Sequence, residues 1–96
     1  MTLLDAQTSI VRSPEPLSCE VEDGIVMLSI DRGSYFSLNA TAAAVWRELE
    51  APTNVERIAA ALAQEFDVED DKCLTAVKDI LKSFHDQRLI EIVHPE

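Results

Sequence analysis

Basic residues are scarce. Lys and Arg number 8 against 18 Asp and Glu, a formal net charge of −10 over 96 residues. Binding to nucleic acid or to an anionic membrane surface depends on Lys and Arg meeting phosphates, so this balance excludes both partner classes. Long apolar runs are missing too, and none approaches the roughly 20 residues needed to span a bilayer. Residues 1–12 carry Asp5 where a signal peptide has basic residues and lack a continuous apolar stretch, which predicts a cytoplasmic protein. The only cysteines, Cys19 and Cys73, are too far apart for a zinc or redox motif and read as reduced, partly buried thiols. Glycine is confined to Gly24 and Gly33, both expected in turns, so no Gly-rich phosphate loop exists.

What is present fits one small domain with little room for an enclosed catalytic pocket. Residues 1–16 end in Ser13, Pro14, Glu15 and Pro16, whose prolines block helix and central strand alike, and read as an N-terminal arm, mobile or packed on an edge. Residues 17–96 form the domain proper. Its first strand, 17–22, alternates Leu17, Cys19 and Val21, expected to point inward, with Ser18, Glu20 and Glu22. Asp23 and Gly24 supply a hairpin turn before 25–30, and Asp31, Arg32 and Gly33 a second turn before 34–38, making a three-stranded antiparallel meander.

Three helices follow. Asn39 caps the first, 40–50, whose face is Ala42, Val45, Trp46 and Leu49 and which Pro52 stops. Thr53 and Glu56 predict a capping box for the second, which carries Val55, Ile58, Ala59, Leu62 and Phe66 at helical spacing. Glu69, Asp70 and Asp71 suit the start of the third, 70–86, with Leu74, Val77, Leu81 and Phe84 on one face and Cys73 and Ile80 beside it. Leu89 to Val93 predict a short closing extended segment, followed by the tail His94, Pro95 and Glu96. The fold class is α+β: a winged helix-turn-helix-like arrangement with an N-terminal three-stranded meander ahead of three helices.

Catalytic chemistry finds little to work with. His85, at a helix end, and His94, in the tail, are not placed to activate a thiol. Cys19 and Cys73 sit where cysteine acts as a small hydrophobe, and Trp46 reads as core. Glu65, Asp67, Glu69, Asp70 and Asp71 lack the glycine and ligand spacing of a calcium loop. No cofactor, metal or catalytic residue is predicted. What remains is the meander's last strand, Ser34, Tyr35, Phe36, Ser37 and Leu38, with no lysine or proline to discourage strand pairing. An open edge of this kind accepts a peptide strand, or pairs two copies into a dimer, with the third helix as a second wall.

The run Gly33, Ser34, Tyr35, Phe36, Ser37, Leu38, Asn39, continued by Ala-Thr-Ala-Ala-Ala-Val and Trp46, resembles the centre of the PqqD-like family. The likeness continues through Thr53 to Ile58, Glu65 to Val68, Cys73 with Val77, and Leu89 with Ile90. Members of that family are recognition elements for ribosomally made, post-translationally modified precursor peptides (RiPPs). The resemblance implies that a leader peptide adds to strand 34–38 and lies against the third helix, with Leu74, Val77, Lys78, Leu81 and Lys82 at the matching positions and the two lysines facing acidic leader side chains. Tyr35 to Asn39, Trp46 and Cys73 are most similar to stand-alone lasso-peptide members, which implies a partner leader peptidase, a cysteine protease on another chain. Two positions depart from the pattern: Arg88, where many relatives carry glycine, and Ala42, where lasso relatives often do. The rival readings are a PqqD-type chaperone presenting its precursor to a radical SAM enzyme, a winged-helix regulatory module that does not bind DNA, and a hydrolase using Cys73.

Overall fold

The computed structural model describes residues 8–14, 16–30 and 32–93. Asp31 of the second turn, His94 and the rest of the tail, and the first seven residues lie outside the described residues. In chain order the elements are β1 (Ile10–Arg12), β2 (Leu17–Val21), β3 (Gly24–Ser29), β4 (Ser34–Leu38), α1 (Ala40–Glu48), α2 (Val55–Phe66), α3 (Asp70–Asp86) and β5 (Ile90–Ile92). The α+β arrangement expected from the sequence, a meander ahead of three helices, is the one observed, with β3 between β2 and β4 in an antiparallel sheet.

The inner sheet face packs on α1. Ile25 and Met27 are buried there, with Phe36 and Leu38 partly so, against Val45, Trp46 and Leu49. Trp46 meets Phe84 of α3 edge-on at 5.9 Å. Asn39 caps α1 as expected, its side chain accepting from the Ala42 N–H at 2.9 Å.

Several expectations are corrected. The cap of α2 is Asn54, which accepts from the Arg57 N–H at 2.9 Å. Thr53 instead exchanges backbone hydrogen bonds with Ile10 at 2.8 and 2.9 Å, which commits it to extended pairing and leaves the capping role to its neighbour. Residues 10–12 of the N-terminal arm form β1, pair with β5 as a second, two-stranded sheet, and bring Ile10 fully into the core. Among the described residues, no part of the arm pairs with β4.

The largest correction concerns β2. Leu17, Cys19 and Val21 face away from the core, and Cys19 is exposed. Arg47 of α1 grips Glu20 in a bidentate ion pair, Nη2 to Oε1 at 2.6 Å and Nε to Oε2 at 3.1 Å, so the polar side of the strand is the one turned towards the helix layer. This hydrogen bond holds the Glu20 carboxyl below the usual carboxylate range and pushes Arg47 further up. Gly24 is a strand residue and not a turn residue: the hairpin loop is Glu22 and Asp23, and a Cβ on Gly24 would collide with the Leu38 carbonyl oxygen.

α3 ends in a Schellman turn. Leu89 N–H donates to the Phe84 carbonyl at 2.8 Å and Arg88 N–H to that of His85 at 3.0 Å, with Arg88 at φ 62°. A left-handed conformation of this kind favours glycine, which has no Cβ to clash. Arg88→Gly is expected to raise stability by about 1 kcal/mol, the order of the left-handed penalty for a residue with a Cβ. Gly24→Ala is expected to lower it by about 1–3 kcal/mol through overpacking against β4. Denaturant titration of the two variants checks both.

Candidate functional site

The edge of β4 follows from register. Val21 pairs with Gly24 across the two-residue loop, and the closing pair of such a hairpin is a hydrogen-bonded one. Bonded and non-bonded pairs alternate from there, so Gly24, Val26 and Leu28 turn their N–H and C=O groups to β2, while Ile25, Met27 and Ser29 turn theirs to β4. Their partners Leu38, Phe36 and Ser34 are thereby satisfied. Tyr35 and Ser37 point their N–H and C=O groups outward, with no strand beside them among the described residues. The open edge thus offers two backbone units at alternate positions, flanked by the 73 % exposed side chain of Tyr35.

At the C-terminal end of β4, beyond Asn39, lies a hollow of about 230 Å³ lined by Thr41 of α1, Leu62 and Phe66 of α2, Val68, and Lys72, Cys73, Ala76 and Val77 of α3. Its walls are mostly apolar, and Lys72 is its one cation. Phe66 and Val68 are 40 and 44 % exposed at its rim. Phe66, expected from its spacing to face the core, is instead part of this rim.

The α3 residues implied by the resemblance separate into different environments. Val77 and Leu81 are fully buried in the core, and of the two only Val77 reaches the floor of the hollow. Leu74 lines a second hollow of about 240 Å³ on the other flank of the helix, with Glu56, Ala59, Ala60 and Asp71. Residues three and four apart share a helix face, so Lys78 and Lys82 continue the row of Asp71 and Leu74, away from Lys72 and Ala76. Both lysines are exposed. Of the residues lining the first hollow, Thr41, Phe66, Val68, Lys72 and Ala76 were not among the expected site residues. The available signal was the i, i+4 pair of Lys72 and Ala76 beside Cys73.

The two cysteines lie in different surroundings. Cys73, 5 % exposed, donates its thiol to the Ala59 carbonyl at 3.3 Å, and Cys19 lies on the outer sheet face. His85 lies in the last turn of α3, more than two helical turns from Cys73 along the chain. Among the described residues no group of His, Cys, Asp and Glu is arranged to hold a metal ion, and no helix is long and apolar enough to cross a membrane.

The family model for coenzyme PQQ synthesis protein D (PqqD) matches residues 24–90. The chain belongs to the PqqD family. The match begins at β3 and runs to the start of β5, so it takes in β4, the hollow and all of α3. Three solved structures share the fold. TbiB1 in complex with the TbiA(β) leader peptide is 26 % identical, with a TM-score of 0.78 over 88 % of this chain and 99 % of that one. A lasso peptide synthetase B1 complexed with the leader peptide is 23 % identical, with a TM-score of 0.75 over 85 % and 96 %. The PqqD truncation of Methylobacterium extorquens PqqCD, a stand-alone RiPP recognition element, is 20 % identical, with a TM-score of 0.76 over 94 % and 96 %. No curated protein matches the sequence.

Burial distinguishes the two thiols experimentally. Cys19 is expected to react promptly with a thiol reagent in the native protein, and Cys73 only on the timescale of opening of the helical core. Prompt labelling of both, read by intact mass, contradicts this arrangement.

Proposed function

We propose that the chain binds the leader segment of a ribosomally synthesised precursor peptide by strand addition to β4 and presents it to a partner processing enzyme. The observation that carries this reading is the outward-turned backbone of Tyr35 and Ser37, which has no neighbouring strand among the described residues. Two structures of the same fold, TbiB1 and a lasso peptide synthetase B1, are complexes with leader peptides, which supports it.

Strand addition draws its affinity from main-chain hydrogen bonds, each worth about 0.5–1.5 kcal/mol net, and its specificity from pockets for alternate side chains. Ser34 to Leu38 supply the strand. The hollow receives an apolar leader side chain between Phe66, Val68 and Ala76, and Lys72 meets an acidic neighbour. Lys78 and Lys82 remain candidates for a longer leader that wraps α3. The module contributes proximity and not catalytic groups: tethering raises the concentration of the precursor at the enzyme. The partner is the leader peptidase of a lasso-peptide pathway in the cytoplasm. The alternative is a PqqD-type role with a radical SAM enzyme as partner, and processing assays with each enzyme separate the two.

Titration with labelled leader peptide is expected to saturate for the wild type. Tyr35→Pro removes an outward N–H while sparing the β3 ladder, and is expected to weaken binding at least tenfold in a folded protein. Lys72→Glu is expected to weaken an acidic leader more than Lys78→Glu with Lys82→Glu does. A folded Tyr35→Pro protein with wild-type affinity sinks strand addition.

A further inference from the structure

The outer face of the meander carries no charged side chain within its strands, and pairing register sorts it into two unlike rows. Leu17, Leu28 and Tyr35 stand side by side across β2, β3 and β4, and Cys19, Val26 and Ser37 form the next row. The first row is large, apolar and open, its members 56, 45 and 73 % exposed. The second is built of shorter side chains. Three strands about 4.8 Å apart, five to six residues long at about 3.3 Å each, make a face of roughly 15 by 18 Å. That falls well short of the about 800 Å² per partner that a stable protein interface buries, so this face alone holds no folded partner. One further side chain at the open end of the Leu17, Leu28 and Tyr35 row is of the right size for it.

A strand paired with β4 delivers such a side chain. Tyr35 and Ser37 turn their N–H and C=O groups outward, so in the antiparallel pairing that continues the sheet each forms a hydrogen-bonded pair with one residue of the added strand. Residues directly opposite share a sheet face. The added residue opposite Tyr35 therefore points away from α1, with its Cβ about 4.5–5.5 Å from that of Tyr35, and lengthens the apolar row by one. Its neighbours on either side point the other way, towards α1, and the next outward residue falls opposite Ser37 in the shorter row. We infer that the Tyr35 side chain is a specificity determinant: it selects an aromatic or β-branched residue at the one leader position opposite it, on the sheet face turned away from α1. The inference rests on the strand-addition reading above and adds a substrate class to it, a leader read on both faces at once, with an outward apolar residue between two inward ones.

Tyr35→Ala removes the ring and keeps the outward N–H, so it tests the side chain apart from the backbone. The probe is the labelled leader peptide of the titration above, with each residue of its pairing segment changed in turn to Ala and measured against wild type and Tyr35→Ala. One leader position is expected to couple to Tyr35: Ala there weakens wild-type binding about two- to fivefold more than it weakens binding to Tyr35→Ala, the span of cross-strand pair effects, while the two flanking positions stay additive. Tyr35→Arg is expected to change the preference at that same position, so that Glu there binds more tightly than Ala, which it does not in the wild type. Saturable binding with no leader position coupled to Tyr35 overturns the inference and leaves strand addition standing. Equal coupling at two adjacent positions overturns it as well, because adjacent strand residues lie on opposite faces. A wild type that binds no leader overturns the strand-addition reading, and this inference with it.

Discussion

Trp46 is the contact on which the arrangement depends. Its ring lies 2 % exposed between the edge-on ring of Phe84 and the Arg12 guanidinium, whose carbon stands 4.8 Å from the ring centroid. Arg12 also donates from Nε to the Trp46 carbonyl at 3.0 Å. One residue of α1 thus ties together the helix that carries the sheet, the C-terminal half of α3, and β1. Burial of so large an aromatic outweighs the indole N–H, which finds no acceptor among the described residues.

Around this centre the chain closes one edge and leaves another open. β1 and β5 pair with each other, and Ile10 bridges to Thr53, so residues 10–12 of the arm are taken up there and not at β4. Had they paired with β4, no backbone would be available there. The hollow arises in a similar way: the short side chains of Thr41 and Ala76 leave space that Phe66 and Val68 border without filling.

Strand and helix positions were readable because each rests on local pattern: alternation in β3 and β4, the Asn39 cap, and the 3.6-residue period of α3, whose bounds emerge at Asp70 and Asp86 as expected. The α3 site residues were less legible. A helix's apolar stripe shows which side faces a core, but not which flank faces a given strand, so Lys72 could not be separated from Lys78 and Lys82 by spacing alone. Arg88 is an intermediate case. Its departure from glycine was visible in the sequence, and its positive φ supplied the reason.

The sequence by itself determined the elements, their order, the acidic surface and the strand with an undefended edge, since these follow from near-neighbour chemistry. Only the structure decided which side of β2 faces the core, because alternation has two equivalent orientations and the pairing register with β3 chooses between them, setting Ser18 and Glu20 opposite the buried Met27 and Ile25. It likewise decided that β1 pairs with β5, and that Lys72 borders the hollow. Each of these depends on contacts between residues distant in the chain, which no local periodicity encodes.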